Sequence, residues 1–113
     1  MTRLICAALI FACSVVQVQA FWVGEASYYR YSHHSGLFAA HRTLPFGTQV
    51  RVTNLGNGRS AIVTILDRGP FIRGRIIDVS TGAAEALDFR RAGVARVKVE
   101  VVAQEQVRGD PWP

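Results

Sequence analysis

Between Glu25 and Asp78 the chain sets out the groups with which it could do acid–base chemistry: Glu25, His33, His34, His41, Asp67 and Asp78. Asp67 ends an apolar run and is followed by Arg68-Gly69-Pro70. That tripeptide breaks a strand sharply, because Gly69 tolerates backbone conformations that other residues avoid and Pro70 has no N–H to give a ladder. A carboxylate at a strand end beside such a turn can be aimed into a cleft as a general acid or base. More often such an aspartate is spent on the backbone N–H groups of the turn, here with Arg68 as a partner. His41, between small apolar residues and Arg42-Thr43, has two readings as well: a groove histidine acting on a substrate, or a buried ring satisfied by backbone. Asp78 is either functional or a helix cap, and Glu25 either a groove group or a solvent-facing strand residue.

Other chemistries find little support. A metal site needs three or four ligands in suitable geometry, and adjacent His33-His34 does not have the spacing of a shared helical face. No nucleophile elbow, Gly-rich phosphate loop or His-Glu-x-x-His motif occurs. We therefore expect no metal and no cofactor. Trp22, Tyr28, Tyr29, Tyr31 and Phe46 could stack on sugar faces, although aromatic residues at such spacings more often fill a core.

The elements that must position these groups are mostly strands. Phe21 to Tyr29 reads as a first strand in which Gly24 suggests a bulge or a close backbone approach. Arg30 to Leu37 has no period and reads as a loop; Ala39 to Thr43 is either one turn or a short strand. Leu44-Pro45-Phe46-Gly47-Thr48 is a turn. Gln49 to Asn54 alternates, with Val50 and Val52 on one face. Asn57-Gly58 signals a tight hairpin connection into Ser60 to Leu66, whose near-continuous apolar content predicts burial on both faces. Arg75 to Val79 is a short strand, and Ser80 or Asp78 caps a helix running to about Asp88. Val94 to Val102 alternates strictly, with Val97, Val99 and Val101 on one side. Five or six short strands and one helix predict a mainly β domain whose sheet closes into a small barrel, leaving no edges.

The first twenty residues read as an address. Arg3 precedes an apolar run from Leu4 to Val16, and Val18-Gln19-Ala20 is a small-residue ending of the kind a signal peptidase cuts. The expected organisation is a signal segment over 1–20, one barrel domain over 21–103 and a loose tail over 104–113. Cys6 and Cys13 both fall in the signal, so the exported chain has no disulfide. Lipidation at Cys13 would be the one route to a membrane. The whole chain carries a net charge of +5, and of its 13 basic residues all but Lys98 are arginine. Arginine's planar fork suits carboxylates, so an exported basic domain points to an anionic envelope partner such as an acidic glycan. Nucleic acid is not expected as a partner, because the chain is exported.

Gly24-Glu25-Ala26-Ser27-Tyr28-Tyr29, then Ala39-Ala40-His41-Arg42-Thr43-Leu44-Pro45-Phe46-Gly47-Thr48, then Val50-Arg51-Val52-Thr53-Asn54-Leu55 with Asn57-Gly58-Arg59-Ser60, resemble the rare lipoprotein A (RlpA) family. Asp67-Arg68-Gly69-Pro70-Phe71 and Arg75-Ile76-Ile77-Asp78-Val79-Ser80 complete the likeness, which spans Gly24 to Val102. The resemblance implies a six-stranded double-psi β-barrel with one short helix. It also implies a monomeric lytic transglycosylase of the periplasm or cell envelope, acting on peptidoglycan glycan strands stripped of their peptides and leaving 1,6-anhydromuramoyl ends. The family's histidine falls on His41 and its barrel aspartate on Asp67, the expected catalytic pair. Glu25, Tyr28, Tyr29, Arg42, Thr43, Arg68 and Asp78 are the expected substrate contacts. One element of the family pattern has no counterpart: the loop before the Ala-Ala-His motif carries an acidic pair in active members, whereas Arg30 to Phe38 contains no Asp or Glu. The alternatives are a glycan-binding barrel that works without cleavage, as expansins do, and an envelope interaction protein that uses the barrel as a scaffold.

Overall fold

Alternation of apolar and polar residues places one face of each strand inward, and six such strands close on themselves. The computed structural model describes residues 21–29 and 36–103. The signal segment with Cys6 and Cys13, the loop residues Tyr31, His33 and His34, and the C-terminal tail lie outside the described residues. The strands are β1 (Phe21–Tyr29), β2 (Phe38–Ala40), β3 (Gln49–Asn54), β4 (Ser60–Asp67), β5 (Arg75–Ser80) and β6 (Val94–Ala103), with helix α1 (Thr81–Ala86) between β5 and β6. Around the barrel the order is β1-β5-β2-β4-β3-β6. β1 runs parallel to β5 and β2 parallel to β4; the other neighbours are antiparallel. Each parallel pair needs a crossover, and two interlocked crossovers make this a double-psi β-barrel.

The interior is a column of β-branched residues. Val50 and Val52 from β3, Val63 and Ile65 from β4, Ile77 and Val79 from β5, and Val97 and Val99 from β6 are all fully buried. Ala26 and Ala39 fill narrower places among them. Each buried Val or Ile contributes about 1.5–3 kcal/mol relative to exposure, so this column supplies most of the driving force. Leu87 and Phe89, just after α1, complete the core.

Four details differ from the sequence expectations. β4 is buried on one face only: Ile62 and Leu66 are 38% and 48% exposed. A closed barrel has a single interior, and no second layer covers the outside of β4. The helix cap is Ser80, whose Oγ accepts from Ala83 N at 3.2 Å; Asp78 does not cap. The helix itself ends at Ala86, and Asp88 turns the chain with a positive φ of 59°. Finally, Asn57-Gly58 is not a two-residue turn, since only Gly58 of the pair has positive φ. The loop is instead closed by Asn54, whose carbonyl accepts from Gly58 N at 2.7 Å and whose N–H donates to Arg59 O at 2.8 Å.

Asn54 also ties this hairpin to the end of the helix. Its buried Nδ2 donates to Leu87 O at 3.0 Å, and its Oδ1 accepts from Gly56 N at 2.8 Å. Asn57 Nδ2 donates to the same Leu87 carbonyl. Replacing Asn54 by Ala leaves the Gly56 N–H without its acceptor and Leu87 O with one donor. The expected cost is about 1–3 kcal/mol, read as a lower denaturant midpoint at unchanged slope. Asn57→Ala, on the exposed side of the same carbonyl, should cost less.

Candidate functional site

Ala40 is the hinge of the site. It pairs with Asp67 across the β2–β4 ladder and with Asp78 across the β2–β5 ladder. Asp78 in turn pairs with Ser27 of β1. Ser27, Asp78, Ala40 and Asp67 therefore form one row across four strands, and the two aspartate Cα atoms stand about 10 Å apart, two strand spacings. The β2–β4 ladder slips register between Ala39 and Ala40, and the β1–β5 ladder between Glu25 and Ala26. Such irregularities re-aim side chains at barrel rims.

The chain leaves β2 at Ala40 and His41 follows at once. Its N–H donates to Asp67 O at 3.0 Å, so the main chain locks the two residues together. The imidazole is buried, and its Nδ1 accepts from Thr43 N and Leu44 N, each at 3.1 Å. With Nδ1 occupied as an acceptor, the neutral ring carries its proton on Nε2. Burial, then the charges of Arg42 and Arg68, hold the His41 pKa below its ordinary value of 6.5. His41 is thus neutral near pH 7, with Nε2–H as its donor and its one lone pair, on Nδ1, taken by two backbone N–H groups.

Arg68 holds this turn from outside. Its Nη1 donates to Leu44 O at 2.8 Å and to His41 O at 3.2 Å, and its guanidinium lies 4.2 Å from the centre of the Phe46 ring. Asp67 Oδ1 accepts from Arg68 N at 2.8 Å, the turn-making bond expected of an aspartate there. Trp22, His41, Arg42, Thr43 and Ile76 line a groove of about 320 Å³, with the Trp22 and His41 rings 5.7 Å apart and tilted by 52°. Ile76 can sit there because Gly24 has no side chain: a Cβ on Gly24 would lie 2.6 Å from Ile76 Cγ2.

The other expected contacts are placed elsewhere or are engaged. Ser27 Oγ donates to Asp78 Oδ1. Glu25 pairs with Arg75 at 3.6 Å. Tyr28 donates its hydroxyl to Arg90 O at 3.2 Å and packs edge-on against Phe89. Tyr29 packs edge-on against Phe38. Arg42 and Thr43 are exposed at the groove. Ile76 and Ser27 escaped the sequence reading; the outward alternation of Ile76 and Asp78 against buried Ile77 and Val79 is the signal that could have found the first. Among the described residues no cluster of His, Cys, Asp and Glu could hold a metal ion, and no helix is long and apolar enough to cross a membrane.

The depressed His41 pKa has a sign that can be checked. The unfolded chain takes up its proton near 6.5, the folded chain only at lower pH, so the unfolded state binds more protons between the two values. The stability from neutral His41 is full above 6.5 and is lost as pH falls through that value toward the folded one. Thermal melts at about pH 8 and about pH 5 should therefore show a smaller loss for His41→Gln than for the unaltered chain. An equal loss in both would remove His41 as the source.

The lytic transglycolase family profile matches residues 18–99. A probable endolytic peptidoglycan transglycosylase RlpA from Nostoc sp. is 64% identical over 66 residues, covering 58% of this chain and 18% of the relative. The endolytic peptidoglycan transglycosylase RlpA of Pseudomonas aeruginosa is 45% identical over 106 residues, covering 80% of this chain and 31% of the relative. The chain thus spans between about a fifth and a third of the length of these curated relatives. Among solved structures, an expansin from Clavibacter michiganensis in complex with cellohexaose shares the fold, with a TM-score of 0.62 at 18% identity, covering 83% of this chain and 54% of that one. With its closed six-stranded barrel and a profile match over most of its length, the chain belongs to the lytic transglycolase family of double-psi β-barrels.

Proposed function

We propose that this barrel is a peptidoglycan lytic transglycosylase of the bacterial envelope. It cleaves the muramoyl–glucosaminyl bond of peptide-stripped glycan strands, with Asp67 as the acid–base group and His41 as its partner. The supporting observation is the main-chain bond from His41 N to Asp67 O, which joins the end of β4 to a histidine that lines an open groove; Asp67 itself is adjacent to that lining through the main chain and not part of it. In this reaction one carboxyl group protonates the glycosidic oxygen as the C1–O bond breaks. It then takes the proton from the muramoyl C6 hydroxyl as that oxygen closes on C1. No water is consumed, so a second carboxylate to activate water is not needed. His41 Nε2–H supplies a hydrogen bond to a substrate oxygen, and the ring is not the base because its one lone pair, on Nδ1, already accepts from Thr43 N and Leu44 N. Arg42, exposed at the groove, suits the lactyl carboxylate that stripped strands display. Thr43 adds a hydroxyl beside it. Residues 1–20 act as the export signal that brings the domain to this substrate. The closed barrel, with no free strand edge, fits a monomer.

A second reading is favoured by one observation: the stretch from Arg30 to Phe38 has no Asp or Glu, where active relatives of this type carry an acidic pair. On that reading the barrel binds glycan without cleaving it. Digestion of peptide-stripped peptidoglycan followed by mass spectrometry separates the two. The transglycosylase reading expects 1,6-anhydromuramoyl products that fall by about 10²- to 10⁴-fold in Asp67→Asn, the range general acid–base help supplies. Binding to the insoluble glycan without such products would establish the second reading and remove the first.

A further inference from the structure

Trp22 is unused by acid–base chemistry, and its position is unusual for an indole. Along β1 it continues the inward row of Ala26 and Gly24, and its strand partner Val99 is fully buried. Yet Trp22 is 39% exposed, because the interior opens into the groove at that point. Its neighbour Phe21 is faced by Lys98 Nζ, 5.5 Å from the ring centre. Trp22 meets the tilted His41 ring and lines the groove while staying partly exposed. Ile76 lies in the same groove, held there over side-chain-free Gly24. The lining is thus divided: an apolar pair, Trp22 and Ile76, and a polar group of His41, Arg42 and Thr43.

We propose that Trp22 and Ile76 form a sugar-stacking subsite for the uncharged N-acetylglucosamine ring of the glycan, next to the Arg42 position that takes the acidic muramoyl ring. This rests on the glycan reading above and gives it a direction. A β-linked hexosamine has its hydroxyls and acetamido group equatorial, so one ring face is a patch of axial C–H bonds that lies flat on an indole. Ile76 then meets the acetamido methyl, while Thr43 and the Nε2–H of His41 serve the equatorial oxygens. The muramoyl ring is excluded from this end because its lactyl carboxylate would be placed on an apolar surface away from the Arg42 guanidinium. A groove of about 320 Å³ is at the lower end of ligand sites and has room for one ring.

The test uses the full chain and a neutral probe, N-acetylated chitotetraose, by titration calorimetry. Trp22 fluorescence is followed in parallel in a Trp112→Phe background, which leaves one tryptophan. Trp22→Ala should weaken the neutral oligomer by about tenfold or more, the scale of a lost stacking contact. Trp22→Phe should keep most of the affinity, and Arg42→Ala should spare the neutral oligomer while weakening stripped peptidoglycan. Circular dichroism checks that Trp22→Ala is folded; should it be unfolded, saturable quenching of Trp22 by the oligomer and the Trp22→Phe affinity carry the test. Unchanged oligomer affinity in Trp22→Ala, or no fluorescence response on binding, overturns the subsite while the glycan reading stands. Failure of the unaltered chain to bind stripped peptidoglycan overturns that reading, and the subsite with it.

Discussion

Ala40 is bonded on both sides, to Asp67 in a parallel ladder and to Asp78 in an antiparallel one. A strand of three residues could not hold a site by its own stability. Here its short length is a benefit, because both flanks are buried barrel strands, and the chain is free to turn as soon as Ala40 is passed. His41 therefore begins the turn while its N–H is still bonded to Asp67 O. Everything polar in the groove inherits its place from that junction. Ala39 and Ala40 are both buried, and larger residues there would overpack the space around the junction.

The electrostatics follow from the same junction. Arg68, next in sequence to Asp67, reaches back to the carbonyls of His41 and Leu44 and rests on Phe46. It closes the turn whose N–H groups hold Nδ1 of His41. In doing so it brings a positive charge near a buried imidazole, which burial and Arg42 already keep neutral. One arginine thus fixes the turn, sets the tautomer and helps select the protonation state. It is a positioning residue for His41 and is engaged within the protein, whereas Arg42, one residue after His41, is the arginine presented to the groove.

Much of this could be read from the chain. Alternation in Gln49–Asn54 and Val94–Val102 located β3 and β6 with the correct inward faces, because period 2 is a direct consequence of the pleat. The long ordered motifs carried the barrel. Hydropathy failed at β4, where Ile62 and Leu66 face outward, because composition does not say how many faces a sheet will have covered. The aspartates were ambiguous for a similar reason. That Asp78 meets Ser27 Oγ depends on cross-strand register, which is non-local, whereas the Arg68 N bond of Asp67 is local and was among the expected readings. Gly24 was recognised as a close approach, but the approaching group, Ile76, lies on a strand some fifty residues away and could only be seen once β1 and β5 were paired.

The missing acidic residues between Tyr29 and Phe38 bear differently on binding and on cleavage. Hydrolysis requires a group to prepare water, and a barrel with a single active carboxylate would be poorly equipped for it. Intramolecular closure by the C6 hydroxyl supplies its own nucleophile at high effective concentration, so the demand reduces to one proton delivered and one removed. On the proposed reading Asp67, joined to His41 through the main chain, meets that demand only if the sugar is oriented by something else. On the proposed reading the orienting surfaces would be the groove walls contributed by β1, β5 and the Arg42-Thr43 turn. Positioning by the walls and proton transfer at the junction are then separable properties: a barrel that lost the second would keep the first, which is why glycan binding alone does not distinguish an enzyme from a binding module of this fold.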